Sequence, residues 1–204
     1  MRVRASGATC LMPYELAICY RESPGGTLFK KILIVVAVIL VVLVIAISMQ
    51  PATYLVTRST TIAAPPEKVF PLVNDFHQWD NWSPWAKLDP SMKTTFEGPP
   101  AGPGAIYSWT GNDKVGSGKM TITDSHPTNA VSIRLEFIKP FASVTKTDFQ
   151  MTPAGQGTAV QWTMAGDNNF VSKAMCLFLG GMDKMIGPDF DRGLTQMKAA
   201  AERR

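Results

Sequence analysis

The sequence predicts an α+β fold. A curved, seven-stranded antiparallel sheet wraps around a long C-terminal helix, and one membrane-spanning helix precedes the domain. Three observations carry this. Ile32–Ile47 is an unbroken apolar run. Between residues 54 and 165, apolar side chains recur at every second position in short segments parted by glycine- and proline-rich turns, the period of half-buried strands. From Met182 onward the apolar residues recur every third or fourth position, as on one face of an amphipathic helix.

Residues 1–27 show no sustained periodicity and are broken by Pro13, Pro24, Gly25 and Gly26. They are expected to be a disordered tail or sequence upstream of the true start. Residues 28–49 are the expected anchor. With Leu28, Phe29, Ser48 and Met49 added, the apolar run reaches about twenty residues, enough to cross roughly 30 Å of hydrocarbon as a helix. A cleaved signal peptide competes, since Ala46 and Ser48 resemble a small-residue cleavage site. The run exceeds the usual apolar core of about 7–15 residues, which favours an uncleaved anchor. Lys30 and Lys31 flank its N-terminal end, whereas Gln50, Pro51 and Thr53 flank the other. The positive-inside rule then keeps the N-terminus cytoplasmic and exports the domain, residues 50–204.

Tyr54–Ile62 alternates polar and β-branched residues and reads as the first strand. Pro65 and Pro66 preset the φ favoured at a helix start, and Glu67 suits the positive end of the helix dipole. Val69, Phe70, Leu72 and Val73 give that short helix its apolar face. A second short helix holds Phe76, Trp79 and Trp82 on one side, and Ser83–Pro84 stops it. Six further strands follow, near Lys93–Glu97, Ala105–Thr110, Gly118–Asp124, Val131–Ile138, Ser143–Met151 and Thr158–Ala165. Their connections are too short for parallel crossovers, so the sheet is antiparallel. Asp167 or Asn168 is placed to cap a helix over Phe170–Leu179, which Gly180–Gly181 interrupts. Met182, Ile186, Phe190, Leu194 and Met197 then line one face of the last helix, where Pro188 must kink or restart it. That stripe has one place to be buried, the concave face of the sheet.

This order, with APPEKVF after the first strand and NDFHQWDNWSPW behind it, resembles the START-like helix-grip superfamily, also called SRPBCC. Within it the chain is most similar to bacterial polyketide cyclase/dehydrase-type proteins that carry one N-terminal membrane helix. The resemblance covers about residues 28–202. It rests on Lys30–Lys31, Arg58–Ser59, Ala64–Pro65, Phe70, Asn74-Asp75-Phe76, Trp79, Trp82-Ser83-Pro84-Trp85, Leu135–Phe141 and Asp189–Leu194. Pro188 departs from that pattern. In such proteins the chain usually starts near the basic pair, which favours a mis-assigned start for residues 1–27. The resemblance implies a bacterial inner-membrane protein with a single-pass anchor, and a cavity between sheet and helix that holds an apolar or amphipathic molecule. It implies far less about activity, because fold does not fix chemistry.

Composition narrows the classes. Residues 1–49 hold five basic and two acidic side chains and the remainder fifteen and fourteen, so the domain is nearly neutral. It has no basic run interleaved with aromatics, and nucleic-acid binding has little support. Cys10, Cys19 and Cys176 form no disulfide framework or metal-ligand pattern, and Cys176 reads as a buried, inert thiol. No cofactor or metal motif is present.

Parity assigns the candidate cavity lining: Phe96, Tyr107, Trp109, Met120, Phe137, Phe149 and Trp162 from the sheet, Met182, Ile186 and Phe190 from the last helix, and Trp82 and Trp85 at one end. Trp79 and Trp82 are expected to fill a small core, and Trp85 less so. An enzyme would need an acid/base pair aimed inward. Arg58, His77 and Asp124 are the candidates, although Arg58 is expected to bridge an acid at the core edge, and His77, His126 and Asp124 to reach water. With no catalytic set evident, the leading reading is a membrane-tethered module that binds a hydrophobic or lipid-like small molecule. A cyclase or dehydratase on an apolar substrate, and an interaction protein with a filled core, are the alternatives.

Overall fold

A computed structural model describes residues 24–203. The tail expected over residues 1–27 therefore lies outside the described residues but for its last four positions. The chain divides at Ser48/Met49 into two compact units. Among the described residues the first is one helix, α1 (Pro24–Ser48). Its stretch Leu28–Ser48 has a mean hydropathy of 3.2 and is long and apolar enough to cross a membrane. Apolar side chains stand exposed on every side of it, a pattern unlike the one-sided stripe of a soluble helix.

The second unit opens with β1 (Thr53–Ile62), α2 (Pro66–Asn74) and a 3-10 helix over Phe76–Asn81. Then come β2 (Lys93–Glu97), β3 (Ile106–Thr110), β4 (Ser117–His126), β5 (Ala130–Lys139), β6 (Ser143–Ala154) and β7 (Gly157–Asp167), followed by α3 (Phe170–Leu179) and α4 (Met182–Ala201). All seven strands form one antiparallel sheet in the order β1-β7-β6-β5-β4-β3-β2. From β2 to β7 each strand lies beside the next, as short connections dictate. The two short helices carry the chain from β1 to the far edge, and α2 packs on β5, β6 and β7.

Local chemistry explains the remaining elements. Phe76, Trp79 and Trp82 are spaced by three, and a 3-10 helix eclipses side chains at that spacing. The cap of α3 is Asn169, whose Oδ1 accepts from Ser172 N at 2.8 Å. This is later than Asp167 or Asn168, because Asn168 is engaged with the start of the sheet: its backbone N donates to Ala52 O at 2.7 Å and its Nδ2 to Pro51 O at 3.1 Å. Helix α4 continues through Pro188, whose ring is exposed, and neither stops nor restarts there.

Helix α4 runs beside β1 in the same direction. Asp183 near its start meets Arg58, Lys198 Nζ donates to Thr61 O at 3.0 Å, and Glu202 Oε1 accepts from Ala63 N at 2.7 Å. The domain thus has two ends. At the proximal end β1, β4 and β6 begin, β3, β5 and β7 finish, and α3 follows. At the distal end lie α2, the β4–β5 and β6–β7 turns and the β2–β3 loop.

Candidate functional site

The distal half of the space between sheet and α4 is filled with rings. Trp162 of β7 lies flat on Phe190 of α4, with centroids 3.9 Å apart and planes 9° apart. Phe149 of β6 stacks on Trp162 at 4.9 Å, and Trp82 stands edge-on to both. Trp82 Nε1 donates to Leu72 O at 2.7 Å and Trp79 Nε1 to Val73 O at 3.0 Å. Both indoles therefore satisfy last-turn carbonyls of α2 that the helix itself leaves without donors. Trp79, Trp82, Phe149, Trp162 and Phe190 are all buried, so they form a floor and not a moving wall. Trp85 is half-buried, edge-on to Trp162 and Phe190. The indole N–H of Trp162 is buried with no acceptor among the described residues.

The proximal half is lined differently. Register places Tyr54, Gly166, Thr145, Leu135, Met120, Tyr107 and Phe96 in one row across the inner face, with Phe137, Gly118 and Trp109 in the next. Two of these positions have no side chain, and larger neighbours fold over them. A Cβ on Gly118 would collide with the Trp109 ring, and one on Gly166 would lie 2.9 Å from the Tyr54 hydroxyl. Trp109 is steered there by its Nε1, which donates to Val115 O at 3.0 Å, and Phe137 stands edge-on to it. Tyr54, Trp109, Phe137, Met182 and Ile186 are only partly buried and pack against the core. They form the part-exposed edge of the core. Burial raises the Tyr54 phenol above its ordinary pKa; Thr145 opposes the shift, and Asp167 and Cys176 of α3 add to it. Deeper in, burial pushes the Tyr107 phenol up to about 12, with Asp80 contributing.

The remaining candidates are dispersed. Arg58 Nη1 lies 2.8 Å from Asp183 Oδ1, and Nε lies 3.3 Å from Asp191 Oδ2, both on α4. Its hydrogen bonds to Asp183 lead the rise in its pKa and hold the Asp183 carboxyl low. His77 Nδ1 lies 2.8 Å from Asp75, and Asp124 pairs with His126 at 3.1 Å on exposed side chains. Arg58, His77 and Asp124 thus have separate partners and do not converge. Phe96 is 40% exposed on the edge strand, with its ring stacked on His77 at 4.1 Å. Phe96, His77, Pro99 and Pro100 line a distal cleft of about 260 Å³, below the roughly 300–1,000 Å³ of ordinary small-molecule pockets.

Sequence parity named the inner face but missed Tyr54, Gly118 and Gly166. Glycine inside a strand pattern was the available signal, since it marks a close approach by another group.

A family model described as "Polyketide cyclase / dehydrase and lipid transport" matches residues 54–202. The chain belongs to that family. It is a ligand-binding or cyclase-type module, and the family associates this fold with hydrophobic small molecules. Similar solved structures include a protein from Rhizobium leguminosarum (13% identity, TM-score 0.54, covering 76% of this chain and 99% of that one). Others come from Chromobacterium violaceum (14%, 0.52, 74% and 98%) and Mesorhizobium loti (19%, 0.52, 74% and 98%). At these identities they establish the helix-grip fold alone. No curated protein sequence matches the chain.

Proposed function

We propose that this family member is a membrane-tethered module that holds a hydrophobic or lipid-like small molecule between the sheet and α4. The molecule enters through a proximal mouth. Tyr107, Trp109, Met120, Phe137, Met182 and Ile186 are its walls, and the stack of Trp82, Phe149, Trp162 and Phe190 is its floor. Trp85 and Phe96 border the site, and Arg58 braces α4 from outside it. The observation that carries this reading is the change in packing along one inner face. Fully buried stacked rings give way to part-buried side chains, with Trp109 folded over Gly118, Tyr54 over Gly166, and Phe137, Met182 and Ile186 at the edge of the core. An adaptable side chain such as Met182 suits a site that yields to an apolar guest. The unsatisfied Trp162 indole N–H adds a donor that an oxygen of the guest would satisfy. We place the anchor, residues 28–49, in a bacterial inner membrane as a single pass, with residues 50–204 outside the cytoplasm, on the strength of Lys30 and Lys31.

A second reading, an interaction protein with a filled core, draws on the same ring stack. Native mass spectrometry of the detergent-extracted chain separates the two. The proposal expects a bound apolar molecule that survives extraction and is lost on unfolding. A ligand-free chain that also takes up no apolar probe overturns it and favours the second reading.

A further inference from the structure

We propose that the proximal end of the domain docks on the bilayer surface, with α3 and the tip between β5 and β6 seated among lipid headgroups. This rests on the tethered reading above and adds to it which face meets lipid.

Most of the large exposed apolar side chains of the domain lie at this end. On α3, Phe170, Val171, Phe178 and Leu179 are exposed, Phe178 by 70%; around the β5–β6 tip, Ile138, Phe141 and Val144 are each more than half exposed. Exposed apolar side chains collected at one end of a domain point to an interaction site, which singly scattered residues do not. Three further observations select lipid as the occupant. Four residues, Met49–Ala52, separate α1 from β1, and such a segment spans at most roughly 14 Å. The linker is bonded to the start of α3, since Asn168 donates to both Pro51 and Ala52 and Asn169 caps the helix. A spanning helix that ends at Ser48 therefore keeps α3 within short reach of the headgroups. Charge agrees as well: Ile138–Val144 carries the exposed Lys139, and neither it nor Phe170–Leu179 has an acid. Apolar residues with lysine beside them suit an interface that contains anionic lipid.

The test uses the full chain reconstituted in 3:1 phosphatidylcholine:phosphatidylglycerol vesicles, with p-benzoylphenylalanine in place of Phe178, Phe141 or, as a distal control in the β6–β7 turn, Gln156. All three positions are exposed, so the fold tolerates them. After illumination, mass spectrometry is expected to find lipid adducts at 178 and 141 at least tenfold above those at 156. Equal or lower yields at 178 and 141 in a chain that resists carbonate extraction overturn docking and leave the tether standing. Chain-to-chain adducts at 178 in place of lipid adducts overturn it by assigning the face to a second copy. Release of the chain by carbonate removes the tether and docking together. Uptake of an apolar probe by the same samples reports separately on the binding reading.

Discussion

The guanidinium of Arg58 lies across Gly187, held between Asp183 at 2.8 Å and Asp191 at 3.3 Å. Asp183, Gly187 and Asp191 are spaced by four and share one face of α4. The bare position between two acids lets a strand residue lie flat on the helix, which fixes where α4 rests along β1.

Filling that position tests the arrangement. A Cβ at 187 would overlap Arg58 Nη2, the far end of a flexible side chain. Gly187→Ala is therefore expected to be near neutral, because the gain in helix propensity of about 1 kcal/mol offsets the displaced, partly exposed ion pair. Gly187→Leu exceeds the space and is expected to cost about 1–3 kcal/mol. In an Arg58→Ala background much of that cost should vanish, as a denaturant double-mutant cycle would read. Equal costs in both backgrounds would mean that Arg58 does not occupy the Gly187 surface.

Trp82 and Trp85 should separate in thermal or urea unfolding. Trp82 is fully buried and bonded to Leu72, so Trp82→Ala is expected to cost about 3–5 kcal/mol. Trp85 is half-buried, and Trp85→Phe is expected to cost less than about 1.5 kcal/mol. Similar losses for the two would contradict the assignment of Trp82 as floor and Trp85 as border.

Tyr107 gives a pH signature with a definite sign. Its folded pKa of about 12 lies above the ordinary 10.0 because burial disfavours the phenolate. Its contribution to stability is fully present below pH 10 and is lost as pH rises through the folded value. Stability of the native chain should therefore fall more steeply between pH 10 and 12 than that of Tyr107→Phe. Parallel curves would show that the phenol is solvated.

Much of this was legible in the sequence because period two and period four each assign a face. The seven strands, the two short helices and the buried stripe of α4 follow from spacing alone. Depth along a face is another matter. Phe149 and Phe137 have the same inward parity, yet Phe149 is fully buried in the ring stack and Phe137 only partly buried, because depth depends on what packs over each strand. Phe96 has inward parity too, but its edge strand stands exposed along its length. The cap of α3 shifted to Asn169 because Asn168 bonds the linker, a long-range contact that no local pattern encodes.

Uptake of N-phenyl-1-naphthylamine by the full chain, compared with Ile186→Trp, tests the central claim most directly. Ile186 is partly buried on α4, one turn before the ring stack, so in the proposed site a larger ring there blocks entry while the core holds. Saturable uptake by the native chain, weakened at least tenfold in Ile186→Trp with an unchanged unfolding midpoint, is the predicted result. No saturable uptake by the native chain, or equal uptake by both, would contradict a binding site between the sheet and α4.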